Sequence, residues 1–141
     1  MPFLTERDKA ALQEHLRGLS APVKLVNFTQ ELECEYCHET RRLLEEVAAL
    51  SDKLSLEVYN FQLDREKVEQ YRIDKIPATV VEGEKDYGIR FFGLPSGYEF
   101  SVLIDDILAV SKGQSGLHPE TVSKLQGLTQ PLHLQVFVTP T

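Results

Sequence analysis

Apolar residues mark out alternating helices and strands along the chain. From Thr5 to Leu16, Leu12 and Leu16 share one side of a helical wheel while Lys9 and Glu14 fall elsewhere, which predicts an amphipathic helix. Thr5 followed by Asp8 is a box-like cap, and Gly18 stops the run. Pro22–Thr29 is rich in β-branched and aromatic residues and predicts a strand buried on at least one face. A polar loop, Gln30–Glu33, follows. From Cys34 onward the period turns helical, with Cys37, Leu43, Leu44, Val47 and Leu50 recurring. Leu54–Phe61 alternates apolar and polar as a second strand, and Asp64 caps a short helix that runs to Tyr71. Ile76–Val81 is a third strand, joined through a turn at Gly83–Asp86 to a fourth, Tyr87–Phe92. After a loop at Gly93–Gly97, Tyr98–Val110 is helical, with Phe100, Leu103, Ile104, Ile107 and Leu108 inward.

The first two strands are joined through a helix, so they should lie parallel with a right-handed crossover. The last two should be antiparallel. The expected class is α/β, a central four-stranded mixed sheet flanked by helices. Beyond it, Ser111–Gly116 reads as a linker, Pro119–Leu125 as a short helix and Pro131–Val138 as an extra C-terminal strand. That last stretch places Pro, Leu and Phe at the same offsets as Pro22–Thr29, like the opening strand of a second copy. The expected division is a unit at 1–112, then linker and opening strand at 113–141.

Composition narrows the function. Hydrophobic residues make up 42% of the 141, enough for a core without cross-links, and the net charge is -7. That balance argues against nucleic-acid binding, which needs clustered Lys and Arg. Arg41-Arg42 is followed within the same helix by Glu45-Glu46 and reads as a solvated face. No secretory signal or membrane-length apolar run is visible, so the expected location is the cytoplasm. A single Met, no Trp and 26% charged residues lean toward a heat-adapted source, a thermophile.

Both cysteines lie in Glu33-Cys34-Glu35-Tyr36-Cys37-His38. The pair falls where a strand-loop becomes a helix, whose free N–H groups and partial positive charge favour a thiolate. Cys34, at the exposed end, is the expected nucleophile, and Cys37, one turn in, the resolving thiol. Two ordinary buried thiols, or a structural staple, are the plain alternative. Glu33 and Glu35 should repel a thiolate at Cys34, which leans the disulfide toward the reducing end. His38 should tune the same field, and Tyr36 reads as a packing and substrate-contact residue. Cys34-x-x-Cys37-His38 is also, letter for letter, a c-type haem attachment motif, but the only Met is Met1 and the expected body is sheet-rich. Zinc needs about four ligands, and His15, His38, His118 and His133 show no ligand spacing. No metal is expected, and no cofactor beyond a redox-active Cys34–Cys37 disulfide.

Ile76-Pro77-Ala78-Thr79 is the second informative stretch. A proline starting a strand cannot join the hydrogen-bond ladder. With a cysteine pair roughly 40 residues earlier, the expected bond before Pro77 is cis. With Cys34-Glu35-Tyr36-Cys37 after a strand and Ile76-Pro77-Ala78-Thr79 before a hairpin, the chain resembles the thioredoxin/glutaredoxin superfamily. Tyr71–Asp74, Phe91–Phe100 and Val136–Thr141 bring the resemblance closer to the N-terminal unit of the glutaredoxin-like protein disulfide oxidoreductases of thermophiles. The resemblance implies a thioredoxin-like fold and thiol–disulfide exchange with protein disulfides. It assigns attack to Cys34, resolution to Cys37, and substrate contact to Pro77 and the backbone of Ile76. It also implies a thioredoxin-reductase-type flavoprotein as electron source. Where thioredoxins place a buried acid, the matching position here is Asn27, which cannot titrate. The lone C-terminal strand implies a sheet pairing within the chain or a homo-oligomer. The alternative function is a non-catalytic binding or assembly module for a redox partner, with the cysteine pair slow or structural.

Overall fold

The computed structural model describes residues 1–139. Its elements run α1 (Glu6–Leu16), β1 (Val23–Thr29), α2 (Cys37–Ala48), β2 (Leu54–Asn60), α3 (Arg65–Gln70), β3 (Ala78–Glu82), β4 (Asp86–Phe92), α4 (Tyr98–Lys112) and α5 (Pro119–Leu125). The four strands form one sheet in the order β2-β1-β3-β4. β1 pairs parallel with β2, and β3 pairs antiparallel with both β1 and β4. Mixed pairing and helices on both faces match the expected class.

Alternation along β1 sorts the core. Val23 and Leu25 point into a cluster with Leu43, Leu44 and Val47 of α2 and Leu103, Ile104 and Ile107 of α4. Val26 and Phe28 point the other way, against Val68 of α3, Tyr71, Ala78 and Val80. Thr5 and Asp8 form the expected capping box on α1. Asp64 sits at the N-cap of α3, but its carboxylate instead turns back to accept the Asn60 N–H at 2.6 Å.

Two expectations change at the C-terminal side. Ser111 is not a linker residue: it belongs to α4 and is buried. Its hydroxyl accepts the N–H groups of Ser20 and Ala21, both at 2.9 Å, and donates to the Ala21 carbonyl at 2.8 Å. α4 ends instead at a left-handed Gly113, φ 68°. The extra strand expected over Pro131–Val138 is not formed in the single chain: residues 128–139 carry neither helix nor strand. Leu132, Leu134, Val136 and Phe137 are exposed. A strand exists only against a partner ladder, and neither sheet edge, β2 or β4, takes this segment up. Pro140 and Thr141, included in the 113–141 segment and in the Val136–Thr141 stretch of the resemblance, lie outside the described residues. Among the described residues no helix is long and apolar enough to cross a membrane.

Candidate active site

β1 ends at Thr29, and the chain leaves the sheet through residues 30–36. Glu33 takes a left-handed backbone, φ 56°, immediately before Cys34. Cys34 and Cys37 form a disulfide across a Cα–Cα separation of 5.5 Å. The helix begins at Cys37, not at Cys34 as the periodicity suggested. Tyr36 is the N-cap, with φ -112° and ψ 9°, and its carbonyl accepts both the N–H and the hydroxyl of Thr40, at 3.0 and 2.7 Å. Cys34 therefore stands on the turn that leads into the helix. It is half-buried, whereas Cys37 is only 1% exposed. The two sulfurs are thus unequal in access.

The Ile76–Pro77 peptide bond is cis. Pro77 is buried, and its carbonyl accepts the Gly93 N–H at 2.9 Å. Ala78, the next residue, pairs with Phe28 near the end of β1 and with Phe92 at the end of β4. The register therefore puts Pro77 and the disulfide loop at the same end of the sheet. Ile76 is half-buried against the α3-side core.

Beside Cys34 lies a shallow groove of about 350 Å³, lined also by Thr29, Gln30, Glu31, His38, Arg41, Arg42 and Glu45. It places His38 in the same groove as Cys34. It does not include Tyr36, Glu33 or Glu35, which are exposed around the turn, nor Ile76 or Pro77. The groove's basic side was missed in the sequence because Arg41-Arg42 read as a solvated face. Arg41 pairs with Glu45 at 2.9 Å, while Arg42 donates to the Met1 carbonyl and lies over the Phe3 ring. Exposed apolar side chains surround the same end of the sheet: Leu32 and Tyr36 next to the cysteines, Leu63 after β2, and Phe92 at the end of β4. Lys75 stacks on Phe92, with Nζ 4.3 Å from the ring centre.

Under the turn, Asn27 is fully buried and its amide N–H donates to the Ala78 carbonyl at 3.0 Å. Its Oδ1 has no hydrogen-bond partner, and neither has Oγ1 of Thr79, the residue paired with it across the β1–β3 ladder. Among the described residues no three His, Cys, Asp or Glu side chains group as metal ligands.

A half-exposed sulfur joined to a sealed one, at the end of a parallel strand and level with a cis proline, defines the thiol–disulfide oxidoreductase class of α/β fold. Residues 23–105 match the thioredoxin domain family, and the chain belongs to that family. A protein disulfide oxidoreductase from Aeropyrum pernix shares the fold with a TM-score of 0.81 and 27% identity, over 91% of this chain and 56% of that one. The N-terminal domain of the alkylhydroperoxide reductase AhpF from Enterococcus faecalis follows at 0.80 and 25%, over 91% of this chain and 62% of that one. The corresponding alkyl hydroperoxide reductase protein, AhpF, of Xanthomonas campestris pv. phaseoli is 29% identical over 120 residues, 85% of this chain. The chain spans 21% of that relative's length.

Proposed function

We propose that the chain exchanges disulfides with protein substrates through Cys34 and Cys37. The observation that carries this reading is the unequal access of the two sulfurs, Cys34 half-buried on the turn and Cys37 sealed beneath it. In the reducing direction the Cys34 thiolate attacks a substrate disulfide. A Cys34–substrate bond forms, the substrate S–S bond breaks, and the departing thiolate takes a proton from water. Cys37 then loses its proton and attacks Cys34 Sγ, which closes the Cys34–Cys37 disulfide and releases the second substrate thiol. Two electrons pass to the substrate, and the reverse sequence oxidises it.

Leu32, Tyr36, Leu63 and Phe92 offer an apolar rim for an extended polypeptide beside the disulfide. Backbone groups flanking Pro77 are the reading's pairing site for that polypeptide. Glu33, Glu35 and His38 set the field at Cys34. A thioredoxin-reductase-type flavoprotein recharges the pair; the likeness to the AhpF proteins of alkyl hydroperoxide reductase supports a redox partner of this kind. Both cysteines being spent on one exchange pair suits the cytoplasm. Residues 113–141 act as linker and opening strand of a second such unit, the strand being taken up by a neighbouring sheet edge.

Insulin reduction driven by dithiothreitol tests the reading. Cys34→Ser should abolish turnover, and Cys37→Ser should accumulate a mixed disulfide with substrate. Undiminished turnover in Cys34→Ser would sink it and leave an assembly module with a structural pair.

A further inference from the structure

The stretch between α3 and β3, residues 71–77, is neither helix nor strand, yet it delivers Pro77 to the disulfide end of the sheet. An irregular stretch keeps one course only where other groups tie it down. Its ties come from β4 and the residue after it. Arg90 Nη2 and Nε both donate to the Tyr71 carbonyl, at 3.1 and 3.3 Å. Lys75 Nζ stacks on Phe92, and the Gly93 N–H donates to the Pro77 carbonyl. Arg90 and Phe92 flank buried Phe91, so their side chains share the sheet face away from the α2 and α4 core that takes Phe91. Arg90 is the most constrained of these groups. Its guanidinium also forks onto Asp86, with Nη2 2.6 Å from Oδ2 and Nη1 2.9 Å from Oδ1, and its side chain is 17% exposed. Its Cζ stands 5.8 Å from the centre of the Tyr71 ring. The next residue, Arg72, is left-handed at φ 56°, a conformation that a non-glycine residue keeps only where its surroundings over-determine it. Ile73 then turns inward, buried, with its N–H on the Val68 carbonyl at 2.9 Å.

We propose that Arg90 is a positioning residue for the Pro77 loop. By fixing the Tyr71 carbonyl against β4, immediately before the left-handed turn, it sets where the backbone flanking Pro77 meets an extended polypeptide. The proposal rests on the reading that a polypeptide substrate pairs beside Pro77, and it deepens that reading. Arg90 does not line the groove beside Cys34, so it acts on polypeptide placement and not on the sulfur. A small disulfide reaches Cys34 without pairing to any backbone, and its rate is blind to the loop. A polypeptide disulfide depends on it, because a displaced partner backbone forfeits its hydrogen bonds. Lysine does not reproduce the tie, since a single ammonium cannot fork onto the Asp86 carboxylate and hold the Tyr71 carbonyl as the planar guanidinium does.

The test compares second-order rates of the reduced full chain with insulin and with dithiodipyridine at one pH. Their ratio cancels the thiolate fraction, which both reactions share. Arg90→Gln should lower the insulin rate about tenfold, the worth of one well-placed hydrogen bond, and leave the dithiodipyridine rate within about twofold. Asp86→Asn removes the charge but leaves the Tyr71 tie, and its ratio should stay within about twofold of the parent. Where Arg90→Gln does not fold, Arg90→Lys takes its place and should lower the ratio about threefold. Amide hydrogen exchange, read alongside, should show Ile73 exchanging about tenfold faster in the Arg90 variant while α2 keeps its protection. An unchanged ratio, an equal fall in both rates, a fall in Asp86→Asn as large as in the Arg90 variant, or unchanged protection at Ile73 overturns the proposal. A parent protein that reacts with dithiodipyridine but not with insulin sinks the polypeptide reading instead, and the exchange at Ile73 still decides whether Arg90 holds the loop.

Discussion

Removing one hydroxyl at the end of α4 should loosen the join between the two ends of the folded unit. Ser111 Oγ makes three hydrogen bonds to Ser20 and Ala21, residues 90 or 91 positions away in the chain. Ser111→Ala deletes all three at once and leaves two N–H donors and one carbonyl facing a methyl group. A hydrogen bond contributes about 0.5–1.5 kcal/mol net, so three bracket roughly 1.5–4.5 kcal/mol. Ser20 and Ala21 are themselves exposed, and water can reach part of what is lost. That places the expected loss in the lower half of the range, about 2 kcal/mol. For a domain of this size 1 kcal/mol corresponds to about 4 °C, so Tm should fall by about 8 °C. Urea and thermal unfolding of the oxidised protein, followed by circular dichroism, give both numbers. Ser20→Ala, which loses only the 3.1 Å bond from its hydroxyl to the Ser111 carbonyl, is the control and should lose less than half as much. A loss under about 0.5 kcal/mol in Ser111→Ala would show that water replaces the hydroxyl fully and that the join is not a structural one.

Gly83→Ala should destabilise by about 1–3 kcal/mol through overpacking, because the new Cβ would lie 2.6 Å from Val110 Cγ1; a neutral result in urea unfolding would mean the hairpin shifts freely. After reduction, iodoacetamide should modify Cys34 well before Cys37, since Cys37 is 1% exposed; equal rates by mass spectrometry would remove the basis for naming a nucleophile. Glu35→Gln should lower the Cys34 thiol pKa, read from the pH dependence of that alkylation, and a rise would refute the proposed repulsion. Asp86 is held below the usual carboxylate range, first by its hydrogen bonds from Arg90 at 2.6 and 2.9 Å. A depressed folded pKa gives stability that is present above the unfolded value, about 3.9, and drains away as pH falls through the folded one. Asp86→Asn should therefore flatten the acid limb of a stability–pH curve, and an unchanged limb would show that other carboxylates carry it.

The sheet was legible because its strands alternate or run apolar in ways that a helix cannot imitate. The crossover from β1 to β2 followed from the helical period between them. Cys34 and Cys37 stood out as a pair at a strand-to-helix junction and Pro77 as a proline opening a strand, and the structure joins the two sulfurs and makes the bond before Pro77 cis. What escaped was whatever depends on a partner far away in sequence. Ser111 resembles the start of a linker because serine beside glycine usually is one, and only the folded chain brings Ser20 and Ala21 to it. The start of α2 falls later than the period implies because Cys34 fits that period, yet Glu33 before it is left-handed and Tyr36, not Cys34, stands at the helix N-cap. Pro131–Val138 has strand composition but no ladder to join. Thr79 is an ordinary strand residue by sequence; its stranded hydroxyl becomes visible once its neighbour across the ladder is known to be Asn27.

The placement of the site follows from the order of the strands. β1 has β2 on one side, reached through α2, and β3 on the other, running in the opposite direction. The chain turns away from the sheet at the carboxyl end of β1, where its neighbours lead in opposite directions, and α/β folds leave a crevice at such a point. Thr29 and Asn60 close the parallel strands there, while Ala78 opens β3 and Phe92 closes β4 at the same level. Each of these junctions contributes something different: the disulfide turn after β1, Leu63 after β2, the cis proline before β3, and the aromatic ring on β4. Side chains from four separate stretches of the chain thus meet at one end of the sheet. The sheet at this end is buried and polar at Asn27 and Thr79 rather than apolar, so the strands that carry the site are not held there by apolar packing alone.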